Sequence, residues 1–469
     1  MTKLKKTILI PALIIISISG FFSCGVDRWP EYAHQTALDT WMYDIMQQNY
    51  LWYQDLPSYN DVNLFQDPAK FLSEVKTKND SYSFVDSVMA TPLPTYGFDY
   101  SLVRNQDVDT AYNALITYVI PGSPAADAGL TRGKWIVKVD TSYISKKYEA
   151  QLLQGTKAQT LVTGNWKEVI TESEVNGEIK KDTVYKVVVD DTLSLPAARS
   201  VEDNPIHKTE ILTLNDGTEV GYLMYNSFTA GTKDDPEKYN DELREWSNGL
   251  SQKNINKVIL DLRYNKGGSV DCAQLLSTML VSSYYLDQTM AFLEYNDLNI
   301  DKDATLTFDS KLLNPSGKNL DLVTLIVLIS GETAGAPEML MHCLNGKIQE
   351  LIAIGSSTKG QNVATEQFIN EEFQWSVNPV VATIYNSEHN TYPGFKPTYA
   401  VSSSTDYSTF LPFGDEDETL LSVALGVLNK TYPPEKEEKT RAQFKIEKSV
   451  SNPASRRFSN GLRISNKTK

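Results

Sequence analysis

Lys257-Val258-Ile259-Leu260-Asp261-Leu262-Arg263-Tyr264-Asn265-Lys266-Gly267-Gly268-Ser269 places an apolar strand directly before a paired-glycine turn. Apolar residues that do not alternate with polar ones predict a strand buried on both faces. Adjacent glycines let the backbone approach another group closely, so N–H groups can face a developing oxyanion. The plain alternative is a tight turn into the helical pattern Cys272–Leu280. A second stretch repeats the plan. An apolar run, Leu322 to Leu328, precedes Ile329-Ser330-Gly331-Glu332-Thr333-Ala334-Gly335-Ala336-Pro337-Glu338, and Met339-Leu340-Met341 opens a helix. Strand, small-residue turn and helix start direct N–H groups and the positive end of a helix dipole at one point. Strands alternating with helices across residues 203–430 predict an α/β core.

Composition narrows the partners. The chain has 469 residues, enough for two to four domains. A net charge of −15 argues against nucleic acid. The four histidines are scattered and no CxxC occurs, so neither a metal site nor a cofactor is expected. Cys272 and Cys343 lie in apolar helical contexts and read as buried free thiols. A disulfide between them stays open for an exported chain.

The N-terminus predicts export. Lys3, Lys5 and Lys6 precede an apolar stretch, Thr7 to Phe22, that is short for a membrane span. Phe21-Phe22-Ser23-Cys24 reads as a lipobox, with residues 1–23 removed and Cys24 lipidated. Its aromatic residues resemble the relaxed lipoboxes of Bacteroidota-type bacteria. This implies a chain lipid-anchored to a bacterial membrane in the cell envelope, facing the periplasm or the surface. An ordinary signal peptide or an uncleaved anchor is the alternative.

Four further regions follow. Residues 24–93 carry helical spacing (Leu38, Trp41, Met42, Ile45, Met46, Tyr50) and predict a small helical domain. Residues 94–192 contain Pro121-Gly122-Ser123-Pro124-Ala125-Ala126-Asp127-Ala128-Gly129-Leu130 and Gly133-Lys134-Trp135-Ile136-Val137-Lys138-Val139. Both resemble signature segments of bacterial PDZ domains. That resemblance makes Tyr96-Gly97-Phe98 the loop that grips a peptide carboxylate, Tyr148–Leu153 the groove helix and Tyr185–Val189 the last strand. An expanded hairpin over roughly 160–183 would turn at Asn176-Gly177. Residues 203–430 form the candidate catalytic domain. From Lys448 the chain has six Lys/Arg and no Asp/Glu, so residues 431–469 read as a polar, basic, disordered tail.

The chain as a whole resembles the C-terminal processing (tail-specific) peptidases of family S41. The resemblance rests on Leu260-Asp261-Leu262-Arg263 with Gly267-Gly268, on Glu219–Phe228, on Asp80-Ser81-Tyr82-Ser83-Phe84 and on Gly394-Phe395-Lys396-Pro397. It implies a crotonase-like α/β core behind the helical and PDZ domains, and an oxyanion site at Gly267 and Gly268. It also implies a serine nucleophile and a lysine base, and here the sequence departs. The serine position is Gly335; its flanking serines are Thr333 and Pro337, while Ala334, Ala336 and Glu338 are retained. In Gly355-Ser356-Ser357-Thr358-Lys359-Gly360-Gln361 the lysine position is Gln361, and the third site position is Thr365.

Three readings follow. The first is a catalytically impaired S41 homologue that binds extended peptides or unfolded protein C-termini. The second is an active serine- or threonine-type endopeptidase using a relocated Thr333–Lys359 dyad, with Ser330, Ser269, Ser356 and Ser357 as other hydroxyls. A Cys343–His342 dyad is disfavoured because adjacent helical side chains diverge. The third is a structural envelope protein that binds nothing.

Overall fold

A computed structural model describes residues 29–88, 93–175, 178–401, 410–432, 446–450 and 461–465. The signal segment 1–23, Cys24 and the Asn176-Gly177 turn lie outside the described residues. No described helix is long and apolar enough to cross a membrane.

The N-terminal region is helical, as its 3.6-residue spacing requires. Helix α1 (Trp29–Asn49) is followed by α2 (Pro68–Val75) and strand β1 (Phe84–Ser87). Asp67 accepts the Ala69 amide at 3.0 Å and Pro68 occupies the first turn, which together fix the start of α2. Met42, Met46, Tyr50, Phe71, Leu72 and Val75 bury together with Val363, Val377 and Val380 from much later in the chain. Asp80 closes the Asp80–Phe84 turn. It accepts the Tyr50 hydroxyl at 2.9 Å and the amides of Tyr82 and Ser83 at 2.8 and 2.9 Å.

The middle region is a curled sheet with two short helices. Its elements are β2 (Phe98–Arg104), β3 (Tyr112–Val119), α3 (Pro124–Asp127), β4 (Trp135–Val139), β5 (Ser142–Tyr143), α4 (Glu149–Leu153), β6 (Gln159–Val175) and β7 (Glu178–Leu195). Ser123 caps α3 by accepting the Ala126 amide at 3.2 Å. β6 and β7 pair from Gln159↔Leu195 to Val175↔Glu178. The strand expected at Tyr185–Val189 is therefore the middle of a longer one, because β7 pairs with β6 from Glu178 to Leu195.

The α/β region follows. In order it contains β8 (Ile206–Thr213), β9 (Glu219–Tyr225), α5 (Lys238–Gln252), β10 (Lys257–Asp261), β11 (Gly267–Ser269) and α6 (Val270–Leu280). Then come β12 (Thr289–Tyr295), β13 (Ala304–Thr307), β14 (Thr324–Ile329), α7 (Ala336–Leu344), β15 (Glu350–Gly355) and β16 (Val363–Glu366). It closes with β17 (Phe368–Asn370), β18 (Trp375–Asn378), β19 (Val380–Asn386), β20 (Tyr399–Ala400) and α8 (Thr419–Leu428). The main sheet runs β20-β15-β14-β10-β9-β8, with every neighbouring pair parallel except β8–β9. Its central strands are apolar on both faces because both are covered. Leu325, Val327 and Ile329 pack with α6 and α7, while Ile326 and Leu328 pack with α8 and with Tyr118 and Ile120 of the middle region.

A buried ionic cluster joins the middle region to this sheet. Arg263 donates to Asp261 at 2.9 Å and to both Glu418 oxygens at 2.5 and 2.9 Å. Arg132, from the middle region, reaches the same Glu418 at 3.2 Å and lies over the Phe410 ring.

The tail differs from its expectation. Two of its segments are strands: β21 (Ile446–Val450) and β22 (Gly461–Ile464). β21 extends the middle sheet by pairing antiparallel with β2. β22 lies between β11 and β16, parallel to both, and so links β11 to the sheet β16-β19-β12-β13. A polar composition did not prevent this, because open sheet edges supply partners for the tail's backbone and the core supplies a pocket for Leu462.

Candidate active site

Helix α7 begins at Gly335, where φ is +68°, a conformation that favours glycine. Glu338, one turn into the helix, reaches back and accepts the Gly335 amide at 2.9 Å. The same buried carboxylate accepts the amides of Gly360 and Gln361 at 2.6 and 2.8 Å, and the Thr358 hydroxyl. One side chain thus fixes the helix start against the loop after β15. This is why Gly335 and Gln361, far apart in sequence, come together.

Gln361 is buried and turned towards Gly335. A Cβ placed on Gly335 would lie 3.1 Å from the Gln361 side-chain oxygen. The Gln361 Nε2 donates to the Val363 carbonyl at 3.1 Å, and the Gln361 backbone carbonyl accepts the Tyr392 hydroxyl at 2.7 Å. Thr365 is buried nearby on β16, and its hydroxyl donates to the Leu462 carbonyl at 3.2 Å. An amide has no basic nitrogen, and glycine has no nucleophile. The group assembled here can hold a peptide but offers no proton acceptor of lysine type.

Gly267 and Gly268 border the same point. Both have φ near +130°. The Gly267 amide already donates to Asn265 Oδ1 at 3.0 Å. A Cβ on Gly267 would overlap the Gly461 carbonyl oxygen, so that carbonyl is directed at the paired-glycine turn. The five positions expected from sequence, Gly267, Gly268, Gly335, Gln361 and Thr365, therefore surround one segment, β22.

The relocated dyad is not formed. The Thr333 side chain is fully buried, and its hydroxyl donates to the Leu262 carbonyl and accepts the Ser330 amide, each at 3.0 Å. Lys359 is exposed, and only its backbone meets Thr333, its amide donating to the Thr333 carbonyl at 3.1 Å. The other hydroxyls have structural tasks. Ser330 donates to the Arg263 carbonyl at 2.5 Å, and Ser269 caps α6 through the Asp271 amide at 3.1 Å. Ser356 and Ser357 are exposed. His342 turns to the Asn390 carbonyl at 2.7 Å, and burial lowers its pKa. Cys343 is buried and, like Cys272, carries a free thiol.

The second groove lies between β2 and α4. Tyr96 is buried, its hydroxyl 2.5 Å from the Lys157 carbonyl. The Gly97 amide, expected to face a carboxylate, donates instead to Thr95 Oγ1 at 2.9 Å. Phe98 begins β2 and pairs with Val119 of β3. β21 fills the groove, with Tyr100↔Val450, Ser101↔Ser449 and Leu102↔Lys448 in register. A cavity of about 180 Å³ remains beyond Val450, lined by Tyr96, Phe98, Tyr100 and Leu153. Lys448 donates to Glu149 at 2.6 Å, although the Glu149 side chain is only 3% exposed.

Three participants escaped sequence reading. Glu338 stood in the quoted motif, but nothing there showed it as the common acceptor. Tyr392 precedes Gly394 without a distinctive pattern. Gly461 lies in a tail with no periodic signal.

A family model described as peptidase family S41 matches residues 219–401, and one described as the peptidase S41 N-terminal domain matches residues 37–84. Among solved structures, one from Bacteroides fragilis NCTC 9343, described as a candidate S41 protease, is 43% identical to this chain. It covers 83% of this chain and 97% of its own, with a TM-score of 0.77. A photosystem II D1 C-terminal processing protease is 15% identical over 80% of this chain and 95% of its own, with a TM-score of 0.43. Comparison with curated proteins finds no match. The family model across the α/β region and the 43% identity over nearly all of a solved relative place this chain in peptidase family S41.

Proposed function

We propose that this chain is a peptide-binding member of family S41 that has lost hydrolysis. In this reading the middle region is a PDZ domain and Cys24 is a lipidated anchor in the bacterial cell envelope. The partners are extended or unfolded polypeptides, including protein C-termini. One observation carries the proposal: an extended segment lies between the paired-glycine turn and β16 where the site positions hold Gly335 and Gln361. Strand addition supplies backbone hydrogen bonds to any extended chain, so the groove can bind without chemistry. Support for the PDZ reading comes from a second extended segment on β2 beside α4.

The test uses the full chain, purified in detergent micelles, with unfolded casein. Binding is read by anisotropy of labelled casein and cleavage by the appearance of new amino termini. Binding without new termini is the expected result. New termini that disappear in Lys359→Ala would overturn it in favour of a relocated dyad. No binding, either by the full chain or by a variant whose tail is displaced, would leave a structural envelope protein.

A further inference from the structure

We propose that residues 446–450 and 461–464 are tethered ligands of the two grooves, and that they define which polypeptides compete for them. The ligand class is an extended segment with a lysine or arginine in the middle-region groove. Further along, a glycine followed by a leucine-sized residue enters the α/β groove. This inference rests on the peptide-binding reading and specifies its ligand.

The α/β groove selects its occupant by shape. Gly461 has φ +77°, and a Cβ there would lie 2.9 Å from Gln361 Nε2 and 3.2 Å from its Oε1. Any larger residue meets both backbone strain and a buried side chain. The Gly461 amide donates to the Lys266 carbonyl at 2.7 Å, fixing the register at that residue. Leu462 is fully buried in the main core, and its carbonyl accepts from Thr365. The position after glycine therefore requires an apolar side chain.

The middle-region groove selects by charge. Glu149 is buried under the groove and also accepts the Tyr100 hydroxyl. Lys448 reaches it from the tail, and Lys146 meets Glu447 at 3.2 Å on the groove's rim. A buried carboxylate that lacked such a cation would carry a desolvation cost, so an incoming strand must bring one.

Because the tail is part of the same chain, it competes at an effective concentration on the order of 1 mM. A free peptide binding at about 10 μM would be weakened by about a hundredfold in the intact chain. Only segments of matching chemistry at comparable local concentration would displace the tail.

The experiment uses a fluorescein-labelled synthetic peptide of residues 457–467 and the full chain. Gly461→Val expels the tail from the α/β groove, and binding is read by anisotropy. The expected result is at least tenfold tighter peptide binding by Gly461→Val than by wild type. The same peptide with its glycine replaced by valine should bind neither protein. Equal binding to both proteins, or indifference to the peptide's glycine, would overturn the inference while leaving peptide binding intact. Failure of both this peptide and casein to bind either protein would sink the underlying reading as well. Should Gly461→Val not fold, Lys448→Glu serves instead, since that side chain is half exposed. It should speed amide exchange across residues 446–450, and unchanged exchange there would count against the proposal.

Discussion

A methyl group on Gly335 would lie 3.0 Å from the carbonyl carbon of Gly461 and 2.7 Å from the Leu462 nitrogen. The position that would bear a nucleophile thus faces a peptide carbonyl whose oxygen points at the paired-glycine turn. In the proposed reading Gly335 and Gln361 stand where the reacting side chains would be, and a side chain at 335 fits only once the tail shifts back from it. Gly335→Ser combined with Gln361→Lys should therefore cut the chain's own Gly461–Leu462 bond slowly. Mass spectrometry would show loss of residues 462–469. A chain that stays intact for days while remaining folded would show that the geometry has drifted beyond what two side chains restore.

Glu338 holds that geometry. Its buried carboxylate accepts three backbone amides and one hydroxyl. Each buried donor left unpaired costs about 1–3 kcal/mol, and the four share one anchor, so their losses do not add simply. Glu338→Ala should lower stability by at least about 3 kcal/mol in urea unfolding. A loss under about 1 kcal/mol would mean that water enters and replaces the carboxylate.

These two relationships show where sequence reading succeeds and fails. Val258–Leu260 and Leu325–Ile329 are legible because a strand covered on both faces is apolar along its covered length. Gly335, Gln361 and Thr365 could be singled out as positions because the spacing of the surrounding motifs frames them, and the structure brings them to one segment. Their occupant was not legible. Gly461-Leu462-Arg463-Ile464 is four residues long, and its pairing is decided by edges contributed by Gly267–Ser269 and Val363–Glu366. A strand completed by distant edges leaves no periodicity of its own. Thr333 and Lys359 misled for a related reason. Lys359 lies two residues from Gln361 and Thr333 two from Gly335, but the Thr333 hydroxyl is taken up by the Ser330 amide and the Leu262 carbonyl.

Glu418 makes stability depend on pH. Burial alone would raise its pKa, but Arg263 and Arg132 outweigh burial and hold it at about 2, against an ordinary 4.5. A carboxylate depressed on folding contributes stability that is fully present above 4.5 and is lost as pH falls towards 2. The size is about 3 kcal/mol by proton linkage. Glu418→Gln also leaves two arginines buried without a counter-charge, so it should be much less stable than wild type at pH 7. The gap between their urea midpoints should narrow as pH drops from 4.5 to 2. A gap that stays constant over that range would remove Glu418 as the titrating group.

The two body cysteines provide a probe of the core beneath the site. Cys272 lies on α6 and Cys343 on α7, and both are buried in the cluster that also receives Leu462. Burial pushes both thiols up to about 12. The thiolate is the reactive form, and at pH 8 almost none is present in the folded chain. Ellman's reagent should therefore leave Cys272 and Cys343 unlabelled in the native protein and modify both in guanidinium. Because Leu462 packs in the same cluster, Leu462→Ala should open the core enough to raise native labelling. It should also cost about 2–5 kcal/mol, the usual range for emptying a leucine site. Native labelling of wild type, or an Leu462→Ala variant as inert and as stable as wild type, would show that the tail is not part of this core.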